Sequence, residues 1–329
     1  MLNSSLQKIS QESANKTENV DLPVFVWNAS ILFVQSWFII LLNMAVVIVI
    51  LMKRRLRKKL CNMFLIQLLL SHLHVGVSCF MFSLYQLCTG YNPENGGQFY
   101  HTILAFLPIT GFVMTFSSII LVTIEKLIAI RKPFFYAELD YRFFVVCSGI
   151  GFLFPLISTV LILNKSTKEI AYKMFVAGIL CVIIILSFSN IVIYKEVRRQ
   201  FSAIASNVVT TTDQDRIEKL QLMRKRQNRS VRVCFLIVLT CIICWLPGCF
   251  NCFFFIFFRR MYIFSKHYTT IRSVVYLFAL MNSITDPIIF TMMNKEVRNR
   301  LRYLILRKCK KVNSIQAVSL SDHTKSSNA

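Results

Sequence analysis

The chain has 329 residues, of which 55% are hydrophobic and 16% charged, and its mean hydropathy is +0.57. That composition excludes an ordinary soluble domain and indicates a membrane protein that crosses the bilayer several times. The formal net charge of +23 is divided among short basic runs between apolar segments, as in membrane proteins, so nucleic acid is not an expected partner.

Seven apolar stretches are long enough to cross a bilayer, which takes about 20 residues of helix. They lie at 30–52, 61–87, 101–130, 141–163, 170–194, 231–257 and 271–293. The polar segment before the first stretch contains no signal-peptide core, so that stretch is expected to direct insertion. The predicted fold is an all-α membrane protein, a bundle of seven transmembrane helices.

Basic residues are concentrated in three of the connecting segments, at 53–59, 131–142 and 195–229. Because cytoplasmic loops carry an excess of Lys and Arg, these segments are predicted to lie in the cytosol and the N-terminus outside. The basic residues in 259–266 run against this trend. Four glycosylation sequons lie on the predicted outer side, at Asn3, Asn15, Asn28 and Asn164.

The pattern divides the chain into four predicted parts. Residues 1–29 form a glycosylated outer segment, 30–293 the transmembrane domain, 294–308 a helix on the inner membrane surface and 309–329 a disordered cytoplasmic tail. The surface helix is predicted because four apolar residues share one face among basic ones; they are Val297, Leu301, Leu304 and Ile305. Cys309, between two lysines, is a candidate palmitoylation site.

An acid and a proline interrupt the seventh apolar stretch at Asp286 and Pro287. A carboxylate in hydrocarbon is costly unless it faces a polar interior, and proline bends a helix. Asn282 lies four residues earlier and therefore shares a face with Asp286. The pattern predicts a hinged, polar stripe that points inward, with a packing kink around a satisfied acid as the alternative.

Three motifs lie in separate spans of this chain. The sixth span contains Cys244-Trp245-Leu246-Pro247, the seventh contains Asn282-Ser283-Ile284-Thr285-Asp286-Pro287-Ile288-Ile289-Phe290, and the third ends in Glu125-Lys126-Leu127. With Asn43 in the first span and the run 62–68 in the second, they resemble the rhodopsin-like (class A) G-protein-coupled receptors over about residues 30–306.

This resemblance implies a plasma-membrane receptor that passes the signal of an outer ligand to a heterotrimeric G protein, with arrestin as a further partner at the Ser/Thr-rich tail. Pro247 would let the inner half of the sixth helix swing, and Trp245 would sense what fills the outer cavity. The remaining implied switch residues are Glu125, Lys126, Tyr194, Asp286, Pro287 and Phe290. Core packing of Trp245 and a solvated ion pair at Glu125 are the structural alternatives.

The implied ligand cavity is apolar and aromatic. Its lining residues are Pro108, Phe112, Trp245, Cys249 and Tyr276. Because no acid faces this cavity at Pro108, an amine ligand is not expected, and the lining favours a hydrophobic one.

His72 departs from the family pattern, because it stands where the second helix usually carries an aspartate. With Asn43, Asn282 and Asp286 it would form a polar layer at mid-membrane. Sodium prefers carboxylate oxygens, so regulation by sodium is not expected. A neutral histidine bonded to Asp286 is the expected arrangement, and a pair that titrates near physiological pH is the alternative.

Other departures concern the two ends of the bundle. Lys126 replaces the usual arginine, and an ammonium lacks the planar fork of a guanidinium. The usual outer disulfide has no partners, since His101 occupies one position and residues 163–172 contain no cysteine. Cys88, Cys249 and Cys252 lie toward the outer side, but no spacing selects a pair. The usual tryptophan of the fourth helix and proline of the fifth are also missing.

Three functions remain open at this point. The first is a signalling receptor. The second is a seven-helix partner or trafficking protein without coupling, which Lys126, His72 and the missing disulfide would allow. The third is a proton-conducting transporter, disfavoured because the two halves show no internal repeat. The sequence contains no catalytic constellation, metal cluster or cofactor motif, so an enzyme and a bound cofactor are not expected.

Overall fold

A computed structural model describes residues 22–89, 98–163, 168–209, 218, 232, 235–251, 253–254, 268–304 and 306. Within these ranges the chain is almost entirely helical and contains no strand. In chain order the helices are α1 Leu22–Met52, α2 Arg54–Arg57, α3 Leu60–Thr89, α4 Gln98–Arg131, α5 Pro133–Glu138, α6 Tyr141–Leu163, α7 Lys168–Val209, α8 Phe235–Asn251, α9 Tyr268–Met293 and α10 295–304.

Five of the described helices are long and apolar enough to cross a membrane. Their apolar segments are Val26–Met52, Leu60–Thr89, Leu107–Arg131, Ala177–Arg199 and Ser273–Met293. Two shorter apolar segments, Tyr141–Ile157 and Phe235–Asn251, lie in the fourth and sixth predicted spans. Since backbone groups in hydrocarbon must be bonded within the segment, each apolar run folds as a helix. The predicted helical membrane fold is confirmed.

Two helices extend beyond the apolar runs that predicted them. α1 begins at Leu22, ahead of the predicted span, and α7 continues to Val209, past the basic residues that follow its apolar part. In that extension Arg199 Nη2 lies 3.0 Å from Glu196 Oε1, an i,i+3 ion pair on the helix surface. The fifth predicted span ends at residue 194, so the charged residues that follow it continue the same helix.

α3 lies at the centre of the packing and makes its most extensive contacts with α1 and α4. Two glycines allow these close approaches. A Cβ on Gly76 would lie 2.9 Å from Cγ2 of Ile39 on α1, and a Cβ on Gly111 of α4 would lie 2.6 Å from Cγ2 of Val75 on α3. Small residues at helix interfaces let backbones come together, and here they fix the position of α3 between its neighbours.

The short helices α2 and α10 lie at the same end of the bundle, and hydrogen bonds hold both of them in place. Leu56 of α2 is buried, and Asn62 Nδ2 donates a 2.8 Å hydrogen bond to its carbonyl oxygen. Asn294 caps α10, since its Oδ1 accepts bonds from the backbone N–H groups of Glu296 and Val297 at 3.2 and 3.3 Å.

The apolar face of α10 packs against the bundle. Val297 is fully buried in the main core, and Leu301 and Leu304 pack against that core. Ile305, which the sequence placed on the same face, lies outside the described residues.

Candidate functional site

A buried polar cluster joins α1, α3 and α9. His72 of α3 lies with its Nδ1 3.3 Å from Asn43 Oδ1 and its Nε2 3.5 Å from Asp286 Oδ2. The side chains of His72 and Asp286 are 0% and 1% exposed. The second separation is at the outer limit of a hydrogen bond and is not aligned as one. Three of the four residues that the sequence placed in one polar layer are thus neighbours.

Asp286 has two further partners. Asn282, one turn earlier on α9, donates from Nδ2 to Asp286 Oδ2 at 3.3 Å, and Thr240 of α8 donates from Oγ1 to Oδ1 at 3.4 Å. Both distances are long, so each bond is weak by itself. Thr240 was not among the residues singled out from the sequence; its only sequence signal is a hydroxyl one turn before Cys244 in an apolar run.

Asn43 connects this polar layer to the backbone of α9. Its Nδ2 donates to the carbonyl oxygens of Ile39 at 2.8 Å and Ser283 at 2.9 Å, while its Oδ1 faces His72. A buried amide needs partners for both its donor and its acceptor, and here they come from three helices. The layer is therefore a structural junction of α1, α3, α8 and α9 as well as a polar centre.

An aromatic cluster lies about one and a half turns from Thr240 along α8. Trp245 packs against Phe112 and Phe116 of α4, with ring centroids 5.0 and 4.5 Å apart. Tyr276 of α9 contacts Phe112 in turn, at 5.7 Å between centroids. The two contacts of Phe112 are edge-to-face, and such pairs contribute about 0.5–1.5 kcal/mol beyond burial of the rings. Phe116 was missed by the sequence analysis, although it lies one turn after Phe112.

The remaining predicted cavity residues lie close to this aromatic cluster. Pro108 is buried on α4 one turn before Phe112, and Cys249 is half-buried on α8 one turn after Trp245. The hydroxyl of Tyr276 lies 3.3 Å from Cys79 Sγ of α3, a contact that the sequence did not indicate. The structure thus brings the five predicted lining residues to neighbouring positions on three helices.

The Glu125 carboxylate lies at the far end of α4, against the short helix α5. Glu125 is 2% exposed; the hydroxyl of Tyr136 donates a hydrogen bond to its Oε1, and Lys126 Nζ lies 2.9 Å from its Oε2. The ammonium is not aligned for a hydrogen bond to that oxygen, so the contact is an ion pair. Burial, followed by the charge and hydrogen bond of Glu125, raises the pKa of Tyr136 above its ordinary value, and the phenol stays protonated.

Two predicted switch residues differ in their surroundings. Phe290 is buried in the main core of the bundle, whereas the side chain of Tyr194 is 61% exposed on α7. The structure therefore does not bring Tyr194 into the interior with the others. Pro247 and Pro287 lie inside α8 and α9, each within one turn of the residue it was expected to influence, Trp245 or Asp286.

The predicted modification sites fall mostly outside the described ranges. Asn3, Asn15, Asn164 and Cys309 lie there, and Asn28 is half-buried in the first turns of α1. Within the described part of the chain, neither Cys88 nor Cys249 forms a disulfide bond; Cys252 lies outside it. No group of three His, Cys, Asp or Glu side chains in the described ranges is arranged to hold a metal ion.

The sequence was compared with known protein families. The family model described as 7 transmembrane receptor (rhodopsin family) matches residues 42–290. No curated protein sequence matches the chain significantly. The matched range includes the polar layer, the aromatic cluster and the Glu125 carboxylate, and it covers well over half of the chain. The chain therefore belongs to the rhodopsin family of seven-transmembrane receptors.

Proposed function

We propose that this membrane protein is a plasma-membrane receptor that passes the binding of an outer ligand to a heterotrimeric G protein. The observation that supports this most directly is the packing of Trp245 against Phe112 and Phe116, 5.0 and 4.5 Å between ring centroids. This cluster connects the predicted cavity residues of α4 and α9 to α8, the helix that contains both Pro247 and the Asp286 partner Thr240.

Transmission follows from these contacts. A ligand that displaces Phe112 or Tyr276 changes the packing of Trp245, and α8 can then bend at Pro247. Motion of α8 relative to α9 breaks the 3.4 Å contact between Thr240 and Asp286, which is weak enough to exchange. A ligand shifts this equilibrium only by the difference between its affinities for the two arrangements.

The ligand is proposed to be hydrophobic. The cavity residues Pro108, Phe112, Trp245, Cys249 and Tyr276 provide an aromatic and apolar lining. The Tyr276 hydroxyl and the Cys79 thiol, 3.3 Å apart, are two polar groups beside it. Such a lining recognises shape and apolar area, with few directional contacts.

The orientation with the N-terminus outside is part of the proposal. It rests on the basic segments 53–59, 131–142 and 195–229, which the positive-inside rule places in the cytosol. Glycans at Asn3, Asn15, Asn28 and Asn164 would then be outside, and a palmitoyl group on Cys309 and arrestin at the Ser/Thr-rich tail would be inside. A glycosidase-sensitive mass shift, lost when the four asparagines are replaced by glutamine, tests this orientation.

One observation favours a second function, that of a seven-helix partner or trafficking protein without coupling. Lys126 stands at the position of the family's usual arginine, and its ammonium is held 2.9 Å from Glu125 Oε2. A lysine cannot supply the planar fork with which a guanidinium binds two acceptors at once. Contact with a G protein through this residue would be weaker than through arginine.

Basal G-protein activation separates the two functions. The full chain is delivered to the cell surface and compared with Lys126→Ala and Asp286→Ala; Lys58→Ala and Glu138→Ala are the exposed controls. A receptor should show basal activation that both interior variants change and both controls leave intact. Surface protein that activates no class of G protein, with no change in either interior variant, contradicts the receptor function and favours the second.

A further inference from the structure

A cleft of about 430 Å³ lies between the α2 segment and α10. Lys53, Arg55 and Leu56 line one side, and Glu296, Arg300 and Tyr303 line the other. This cleft takes no part in the polar layer, the aromatic cluster or the Glu125 contacts. Its chemistry is cationic, since three of the lining side chains are basic and one is acidic.

Both walls of the cleft are anchored to the core. Leu56 is buried and its carbonyl oxygen accepts the 2.8 Å bond from Asn62, so the α2 segment is held in place. On the other side, Val297 is 0% exposed and Asn294 caps the start of α10. The cationic side chains therefore extend from fixed backbone, which is what a specific binding site requires.

Arg300 is the central cation of this cleft. Its Nε is buried and has no hydrogen-bond partner among the described residues, and its Cζ lies 5.0 Å from the centroid of the Tyr303 ring. A buried N–H without an acceptor is unfavourable, so the geometry points to an acceptor supplied from outside the chain. A guanidinium presents a planar fork of donors that matches phosphate oxygens.

The acid in the cleft does not neutralise these cations. Glu296 Oε2 lies 3.8 Å from Lys59 Nζ, and the two side chains are about half exposed. This acid is thus shared with a lysine outside the cleft lining. An exposed pair at that distance is weak, and it leaves the potential of Lys53, Arg55 and Arg300 positive.

The surroundings of the cleft are those of a membrane surface. Leu51 and Met52, at the end of α1, are 42% and 56% exposed, and Leu306 beyond α10 is also exposed. In the proposed orientation these apolar side chains would be available to acyl chains, and the cations would lie at the level of the headgroups. Basic clusters directly next to a transmembrane helix attract anionic lipids of the inner leaflet.

We propose that this cleft binds the phosphorylated headgroup of an inner-leaflet phosphoinositide. The proposal rests on the proposed orientation, which places α2 and α10 on the cytosolic side. Arg300 would donate to a phosphate through its fork, Lys53 and Arg55 would add charge from the opposite wall, and the acyl chains would lie against α1 and Leu306.

Binding is measured on the purified full chain in phosphatidylcholine nanodiscs that contain either a phosphatidylinositol bisphosphate or phosphatidylserine at matched total charge. Native mass spectrometry or a fluorescent phosphoinositide reports the affinity. We expect tighter binding of the bisphosphate lipid, with a loss of about fivefold for each cleft cation removed among Lys53→Gln, Arg55→Gln and Arg300→Gln. Nanodiscs expose both membrane faces, so this result is independent of orientation and of G-protein coupling.

Two variants provide controls for folding and for general charge. Arg54→Gln with Arg302→Gln removes two exposed cations from the same two helices outside the cleft lining, and should change the affinity less than the cleft variants do. Glu296→Gln should raise the affinity, a gain that misfolding cannot produce. Three results would each overturn the proposal. Phosphatidylserine could bind as tightly as the bisphosphate lipid, the Arg54 and Arg302 control could lose as much affinity as the cleft variants, or Glu296→Gln could show no gain in affinity. If soluble inositol trisphosphate binds as tightly as the lipid, the conclusion that the ligand is a membrane lipid is wrong.

Discussion

The hydroxyl of Tyr136 donates a hydrogen bond to Oε1 of Glu125, a residue eleven positions earlier and 2% exposed. Removing the donor leaves a buried carboxylate oxygen without that partner. We therefore expect Tyr136→Phe to lower the free energy of unfolding by about 1–3 kcal/mol, measured by thermal unfolding in detergent. Tyr141→Phe is the control, because Tyr141 is exposed, and an equal effect of the two changes would contradict the role of the bond.

The same bond has an expected pH dependence. Burial and the charge of Glu125 raise the pKa of Tyr136, so the fold favours the protonated phenol. A group whose pKa is higher in the folded state contributes its stability below its pKa in the unfolded chain, which is about 10 for tyrosine. The stability difference between wild type and Tyr136→Phe should therefore be constant near neutral pH and shrink above about pH 10. A difference that shrinks between pH 6 and 8, taken as roughly neutral conditions, would argue against this assignment.

Asn43 should contribute more to stability than a buried asparagine with local bonds only. Its Nδ2 reaches the Ser283 carbonyl at 2.9 Å and its Oδ1 faces His72, so Asn43→Ala leaves groups on two other helices without a partner. We expect a loss of about 1–3 kcal/mol. Asn190→Ala is the matched control, since among the described residues Asn190 donates only to Leu186 in its own helix, and it should cost clearly less.

Close packing of α4 against α3 should make Gly111 intolerant of a methyl group. A Cβ there would lie 2.6 Å from Cγ2 of Val75 and 3.2 Å from its Cα, so backbone must shift. Gly111→Ala is expected to destabilise by about 1–3 kcal/mol. At Gly149 the added atom would meet nothing within 4 Å, and Gly149→Ala should leave the thermal midpoint unchanged or slightly higher. Equal midpoints for the two variants would contradict the close packing.

Because His72 stands where a second carboxylate would be needed, we expect sodium to leave the thermal midpoint of the protein unchanged. Its ring Nε2 lies 3.5 Å from Asp286 Oδ2, where a second carboxylate would be needed to complete an oxygen-ligand site. We expect the same thermal midpoint for the wild type in sodium and choline chloride at equal ionic strength. His72→Asp supplies the second carboxylate and should introduce stabilisation by sodium, because an ion that binds the folded state raises stability. Sodium stabilisation of the wild type would refute this expectation.

The helical membrane fold and the family could be read from the sequence because their signals are local. Whether a segment enters the membrane depends on its own apolar content. The spacing of Asn282 and Asp286 also predicted that they share a face of one helix, and the structure places Asn282 Nδ2 3.3 Å from Asp286 Oδ2. The motifs around Trp245 and Asp286 then indicated the rhodopsin family, which the family match over 42–290 confirms.

Which side chains meet between helices could not be predicted from the sequence, because it depends on the rotation and tilt of each helix in the packed bundle. Asn43 and His72 are 29 residues apart, and Thr240 and Asp286 are 46 apart, so no local pattern could pair them by distance or partner atom. Thr240, Phe116 and Tyr136 were missed for this reason. The polar layer was anticipated as a group of residues; which oxygen faces which donor, and the cleft between α2 and α10, followed only from the packed bundle.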